Sequence, residues 1–110
     1  YKLPVYVTHW PKDLKPFYMK KDDKVAYCFD LIFPEVGELI GGSAREDSYK
    51  VLKSEMEKSG LDMEKMDWYL KTRRWGSVPH SGFGLGFERL VSYVCKSQKI
   101  HDSIPFPVSY

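Results

Sequence analysis

Val25-Ala26-Tyr27-Cys28-Phe29-Asp30-Leu31-Ile32-Phe33 runs directly into Pro34-Glu35-Val36-Gly37 and then Glu38-Leu39-Ile40-Gly41. β-branched and aromatic residues dominate the first nine, and a proline–glycine turn signal follows, so the stretch predicts an antiparallel hairpin. Side chains alternate across a strand. Val25, Tyr27, Phe29, Leu31 and Phe33 therefore share one face, and Ala26, Cys28, Asp30 and Ile32 share the other. The larger, more apolar face is predicted to be core. The second, small residues around one carboxylate, is a candidate pocket floor.

The turn length decides where Glu38 points. A two- or four-residue loop centred on Glu35-Val36 would set Asp30 and Glu38 on opposite faces. A three-residue loop (Pro34–Val36), or an equivalent one-residue bulge, makes them diagonal neighbours on one face. The expectation is the same-face arrangement.

Outward from the hairpin, Leu3–Thr8 predicts an earlier strand, closed by Trp10-Pro11 because a residue before proline is biased away from helix. Gly41-Gly42 permits a bend or a close approach of another group. A helix is expected from about Ser48 to Ser59, with Tyr49, Leu52 and Met56 on one side and Gly60 as its stop. Asp62 is expected to cap a second helix to about Arg73, with Met63, Met66 and Leu70 in one stripe. Ser77–Gly86 reads as a strand interrupted by Pro79. Phe87–Lys96 reads as a helix burying Leu90, Val91 and Val94, flanked by Phe87 and Cys95, and the tail Ile104-Pro105-Phe106-Pro107 reads as extended. There is no internal repeat and no linker, so residues 1–110 read as one unit. Strands and helices mix without regular alternation. The fold class is α+β, an antiparallel β-sheet flanked by helices.

The chain has 110 residues and a formal charge of +2, with acids and bases interspersed, so no basic stripe argues for direct nucleic-acid binding. Lys12, Lys15, Lys20 and Lys21 are broken up by Asp13, Asp22 and Asp23, which reads as a solvated surface. Cys28 and Cys95 lie in apolar surroundings without metal-ligand spacing and are expected as buried free thiols. No apolar run of about 18 residues points to a membrane span. A cytoplasmic location is expected, with an organellar one left open. The start at Tyr1, entering at once on a strand-like run, suggests part of a longer protein.

Chemistry concentrates in Gly82-Phe83-Gly84-Leu85-Gly86-Phe87-Glu88-Arg89. Alternate glycines leave one strand face bare for a flat ring, and an arginine in the next helical turn can stack on a base or grip phosphate oxygens. A tightly packed strand with a surface arginine explains the same spacing. Asp30 and Glu38 are hard-oxygen ligands suited to Mg²⁺ beside a polyphosphate, or else two solvated acids near a turn. Arg45 can fork onto a carbonyl or carboxylate, or pair with Glu46 or Asp47. His80 is a substrate contact or a structural histidine. His9 and His101 have no catalytic partner, and no Ser or Cys sits in an activating motif.

Together, Phe17–Asp23 (FYMKKDD), Phe29–Glu46 (FDLIFPEVGELIGGSARE), Trp68–Val94 (WYLKTRRWGSVPHSGFGLGFERLVSYV) and Ile104–Pro107 (IPFP) resemble the class II aminoacyl-tRNA synthetases. Within them, the likeness is to the asparaginyl branch of the aspartyl/asparaginyl/lysyl subgroup. The resemblance covers nearly the whole chain, and the segment at about 82–96 looks like the family's motif 3. It implies that Arg89 contacts ATP at the γ-phosphate and adenine, and that Asp30 and Glu38 bind ATP-linked Mg²⁺. It further implies that Arg45 reads the substrate's side-chain oxygen, and that His80, Gly82, Gly84 and Gly86 wall the amino acid and adenosine. The implied substrates are asparagine, ATP and tRNA(Asn), in a homodimeric enzyme. The aspartyl branch, or a synthetase-like paralogue acting as an amide-forming ligase or a nucleotide- or RNA-binding module, is the alternative.

Several positions depart from the pattern. Lys71 stands where the family usually has an acid, Lys96 where it often has glycine, His101 and Ser103 where Arg and Val are usual, and Val108 where an arginine is common. The resemblance places residues 1–110 in the C-terminal portion of the catalytic domain, without motif 1, motif 2 or the anticodon-binding domain. Purified residues 1–110 are therefore expected not to aminoacylate tRNA. Detectable charging in a filter assay overturns that expectation.

Overall fold

The computed structural model describes residues 2–108. Its centre is a four-stranded antiparallel sheet in sequence order: β1 (Val5–Thr8), β2 (Cys28–Phe33), β3 (Gly37–Ala44) and β4 (Ser81–Leu85). The β2–β3 connection is the predicted tight hairpin. Phe33 pairs with Gly37, leaving the three-residue loop Pro34–Val36. Gly37 has φ +82, a left-handed conformation that a residue without Cβ adopts at little cost. A register shift follows between Leu31 and Ile32, so that Leu31 faces Ile40 while Ile32 faces Glu38, and Leu39 becomes the extra residue of a bulge.

β3 is longer than expected and passes straight through Gly41-Gly42. These glycines make room rather than a bend. A Cβ on Gly42 would stand 2.6 Å from Phe29 Cε1, so the Phe29 ring lies across the bare backbone.

The β3–β4 connection carries two helices. Ser48 caps α1 (Tyr49–Lys58), accepting from the Val51 N–H at 3.5 Å, and Gly60 ends that segment at φ +66. α2 is shorter than expected (Asp67–Arg74), because Asp62 caps the turn leading into it through Glu64 N and Lys65 N. Leu52, Met56 and Leu70 form a buried cluster between these helices, packed by Phe17, Tyr49, Leu61, Met63, Met66 and Tyr69. The methionine and aromatic stripes are packing, as expected.

The sheet's own core differs from the sequence expectation. Leu31 is buried as expected, but Tyr27 is 41% exposed and Val25, Phe29 and Phe33 are half-buried, whereas Ala26, Cys28 and Asp30 on the opposite face are buried. The cause is the connection between β1 and β2, which folds back beside the smaller side chains. Ala26 N donates to Trp10 O at 2.8 Å and Tyr27 N to Lys20 O at 2.9 Å, and Lys15 reaches Asp30. The larger face is met by α3 (Phe87–Cys95) at the hairpin end, where Tyr93 packs edge-on against Phe33 at 5.0 Å. Tyr6 and Phe83 on that face stay more than 60% exposed.

α3 also departs from its predicted stripe. Leu90 and Val91 are half-buried, but Val94 and Phe87 are exposed, and so is Cys95, which was expected to be buried. The helix turns Tyr93 toward the sheet and rests on the short 3-10 turn Ile100–Ser103, leaving Val94 and Cys95 outward. Cys28 is buried as expected. The tail after Ser103 has no regular structure and bends at Pro105-Phe106. No helix among the described residues is long and apolar enough to cross a membrane.

α3 closes with Lys96 in the left-handed region at φ 53. Ser97 N donates to Ser92 O at 2.9 Å and Lys96 N to Tyr93 O at 3.4 Å, a Schellman closure. A Cβ costs about 1–2 kcal/mol in this conformation, so Lys96→Gly is expected to raise stability by up to about 1 kcal/mol after glycine's entropic cost. A urea unfolding midpoint that falls, rather than rises, refutes this assignment.

Candidate functional site

The register places the predicted chemistry on one face of the sheet. Val7, Asp30, Gly41 and Gly84 form one row across the four strands, and Cys28, Ser43 and Gly82 form the next. Glu38 pairs with Ile32, two residues along from Asp30, so both carboxylates lie on this face, as the three-residue loop requires. A Cβ on Gly41 would stand 2.6 Å from Glu38 Oε1 and 3.5 Å from Asp30 Oδ1. The two carboxylates thus converge above a backbone that carries no side chain, and Gly84 beside it is also open. The donor set fits Mg²⁺, which takes one or two protein carboxylates and completes its octahedron with water or phosphate oxygens. Among the described residues no cluster of three His, Cys, Asp or Glu forms a fuller cage.

Asp30 is buried, and its charge is balanced by Lys15, whose Nζ lies 2.7 Å from Oδ2. The same ammonium lies 4.7 Å from the centre of the Trp10 ring. From sequence, Lys15 reads as part of a solvated cluster with Lys12, Lys20 and Lys21. The structure corrects this for Lys15 and Lys21, whose side chains are only 15% and 16% exposed, Lys21 lying 3.7 Å from Glu55.

Arg45 leaves the end of β3 and bends back over the glycine row. Its Nη1 donates to Ser43 Oγ at 3.1 Å, and its guanidinium lies 4.8 Å from the Tyr18 ring centre. A Cβ on Gly82 would stand 3.2 Å from Nη2, so the bare strand is what admits the guanidinium. Arg45 makes no ion pair with Glu46 or Asp47. Glu46, itself buried, accepts from Ser48 N at 2.9 Å, and Asp47 pairs with Lys20 at 2.7 Å. That hydrogen bond holds the Asp47 carboxyl below its ordinary value and lifts Lys20 above its own. The pair therefore stays charged at neutral pH, and its contribution fades in acid as Asp47 is protonated and in alkali as Lys20 loses its proton.

The backbone around Arg45 is clamped from three sides. Arg45 N donates to His80 O at 2.9 Å, Glu46 N to Tyr18 O at 2.9 Å, and Arg73 Nε to Glu46 O at 3.0 Å. His80 is exposed. Its Nδ1 donates to Val78 O at 2.8 Å, so it adjoins Arg45 through its backbone rather than its ring.

Arg89 sits in the first turn of α3 with its stem against Gly86, where a Cβ would stand 3.3 Å from Arg89 Cδ. Gly86 N donates to Leu39 O at 2.9 Å, and the Arg89 guanidinium donates to the Glu38 carbonyl. An arginine from the helix is thereby tied to the strand residue that carries one of the two carboxylates.

Asp30, Glu38, Arg45, Gly82, Gly84, Gly86 and Arg89 thus belong to one constellation, with His80 at its margin. Sequence reading assigned no roles to Lys15, Tyr18, Ser43 and Arg73. The only available signal is that Tyr18, Ser43 and Arg73 fall inside blocks carrying the resemblance, whereas Lys15 falls outside them.

Comparison with known proteins agrees with this geometry. A family model described as tRNA synthetases class II (D, K and N) matches residues 2–110. An asparagine–tRNA ligase of Geobacter sulfurreducens is 50% identical over 106 residues, covering 94% of this chain and 23% of that protein. The solved asparaginyl-tRNA synthetase from Pyrococcus horikoshii, complexed with asparaginyl-adenylate, has a TM-score of 0.86 at 47% identity, over 92% of this chain and 24% of that one. An aspartyl-tRNA synthetase from Entamoeba histolytica shares the fold at a TM-score of 0.83 but only 25% identity, over 94% of this chain and 22% of that one. The chain spans about a quarter of the length of the curated relatives it matches. With the family model matching nearly the whole chain, and with two arginines brought to the sheet face that carries the carboxylate pair and the bare glycine rows, this chain belongs to the class II tRNA synthetases of the D, K and N group.

Proposed function

We propose that this chain supplies the sheet-and-motif-3 portion of the active site of an asparagine–tRNA ligase, which joins asparagine to ATP as asparaginyl-adenylate and transfers it to tRNA(Asn). The observation that carries the reading is the convergence of Asp30 and Glu38 above Gly41, with Arg45 and Arg89 at either end of the same glycine-lined face. The asparaginyl choice rests on 50% identity to an asparagine ligase against 25% to an aspartyl enzyme.

In this reading the adenosine and amino acid lie over Gly82, Gly84 and Gly86, with His80 beside them. Arg45, held by Ser43 and Tyr18, presents N–H groups to the side-chain amide oxygen of asparagine. That grip sets the α-carboxylate for attack on the α-phosphorus, a step helped chiefly by positioning. Arg89 turns from the Glu38 carbonyl to the γ-phosphate and adenine, offsetting negative charge as pyrophosphate departs. Asp30 and Glu38 would hold Mg²⁺, which neutralises polyphosphate charge when bound. No side-chain nucleophile is required, because the substrate's own carboxylate attacks. The tRNA 3′ hydroxyl then takes the asparaginyl group. We assign motifs 1 and 2, the anticodon-binding domain and a homodimer contact to portions of the enzyme outside these residues.

Two outcomes are expected in the full-length enzyme. Pyrophosphate exchange depends on asparagine rather than aspartate, and Arg89→Ala slows it on the order of 100-fold with the fold retained. Exchange driven by aspartate, or an unaffected Arg89→Ala enzyme, sinks the assignment. Gly82→Ala pushes on Arg45 Nη2 and is expected to raise the KM for asparagine roughly 10-fold, with a smaller change in the KM for ATP. Equal changes for both substrates would show that Gly82 does not act through Arg45.

A further inference from the structure

We propose that Lys15 is a resident counter-charge that keeps a bare divalent cation off the Asp30–Glu38 pair, so that the metal enters this site in company with polyphosphate. The inference rests on the reading of that pair as the metal-holding one. Its ground is the placement of Lys15. The ammonium lies 2.7 Å from Asp30 Oδ2, both side chains are largely buried, and Asp30 Oδ1 is the oxygen turned toward the Gly41 backbone and Glu38.

One carboxylate oxygen is thus occupied by a cation of the protein's own, while the other remains available. A metal held by Asp30 and Glu38 would share the Asp30 carboxylate with that ammonium. In a partly buried setting, like charges at such separation repel strongly. Lys15 also orders the Asp30 carboxylate, which favours binding, but fixing one side-chain torsion is a small effect beside the repulsion. Lys15 therefore weakens binding of the metal alone. It cuts the formal charge of the site from two negatives to one, too little to hold a dication that must shed tightly bound water. A cation already neutralised by phosphate oxygens does not meet this penalty, because the ammonium attracts the phosphates.

Lys15 has the means to play this part without the chain unfolding. Its backbone is anchored, with Lys15 N donating to Lys12 O at 3.3 Å and Pro11 bridging to Val25. The Trp10 ring face gives the ammonium a second favourable surface if Asp30 turns toward a metal.

The test is Mn²⁺ binding to the full-length protein, followed by electron paramagnetic resonance, with and without a non-hydrolysable ATP analogue. Lys15→Met removes the charge, and Lys15→Gln removes it while keeping a hydrogen-bond donor for Asp30, which protects folding. In the absence of nucleotide, both are expected to bind Mn²⁺ about fivefold more tightly or better. With the analogue present, the gain should shrink below about twofold. Unchanged or weaker binding of Mn²⁺ alone, or an equal gain under both conditions, overturns the proposal. Asp30→Asn separates the two readings. If it leaves Mn²⁺ binding intact, the metal assignment of the pair falls and the Lys15 inference with it. If it lowers binding while the Lys15 variants behave as wild type, only the Lys15 inference falls.

Discussion

The site depends on the register of a single hairpin. Side chains alternate strictly along a strand, so one residue more or fewer in the turn after Phe33 would send Glu38 to the opposite face from Asp30. The three-residue loop Pro34–Val36 sets the parity, and the bulge at Leu39 then brings Gly41, rather than a side chain, opposite Asp30. Two carboxylates and a bare patch of backbone result together. The two go together, because a Cβ on Gly41 would stand 2.6 Å from Glu38 Oε1 and displace that carboxylate from its place near Asp30.

Convergent carboxylates repel, and the fold answers with positive charge brought from three different segments. Lys15 comes from the connection between β1 and β2, Arg89 from α3, and Arg45 from the strand's own end. Each is held in a different manner. Lys15 is paired to a carboxylate, Arg89 is tied to a carbonyl, and Arg45 lies between a serine hydroxyl and an aromatic ring. The last two keep unspent N–H donors, which is what recognition of a planar carbonyl or a phosphate needs. The helix pair α1–α2 contributes at a distance. Its buried Leu52–Met56–Leu70 cluster steadies Arg73, whose bond to the Glu46 carbonyl fixes the backbone from which Arg45 projects.

The departures from the family pattern have local explanations in two cases. Lys71 pairs with Asp67 at 2.6 Å, one helical turn away on α2, so a base is accommodated where an acid is usual. Lys96 occupies a left-handed position, which accounts for the family's frequent glycine there. Nothing in the structure explains His101, Ser103 or Val108.

Whatever depends on neighbours a few residues apart was legible in the sequence. The hairpin, the shared side of Asp30 and Glu38, the start of α1 near Ser48 and its stripe, and the bare glycine strand all follow from alternation, helical period and turn chemistry. Which face of β2 is buried did not follow. Apolar content favours the face of Tyr27 and Phe29, yet of that face only Leu31 is buried, and burial otherwise goes to Ala26, Cys28 and Asp30, because the chain between β1 and β2 folds back on that side. Val94 and Cys95 were misjudged for the same kind of reason, since helical period defines a stripe but not what lies against it. Lys15 was unreadable because its partner is 15 residues away and its neighbours in sequence are ordinary surface charges. By itself the sequence determined the local geometry and, through its motif blocks, the family. Only the tertiary structure decided which charges are buried together, because desolvation and ion pairing depend on what long-range packing lays over a face.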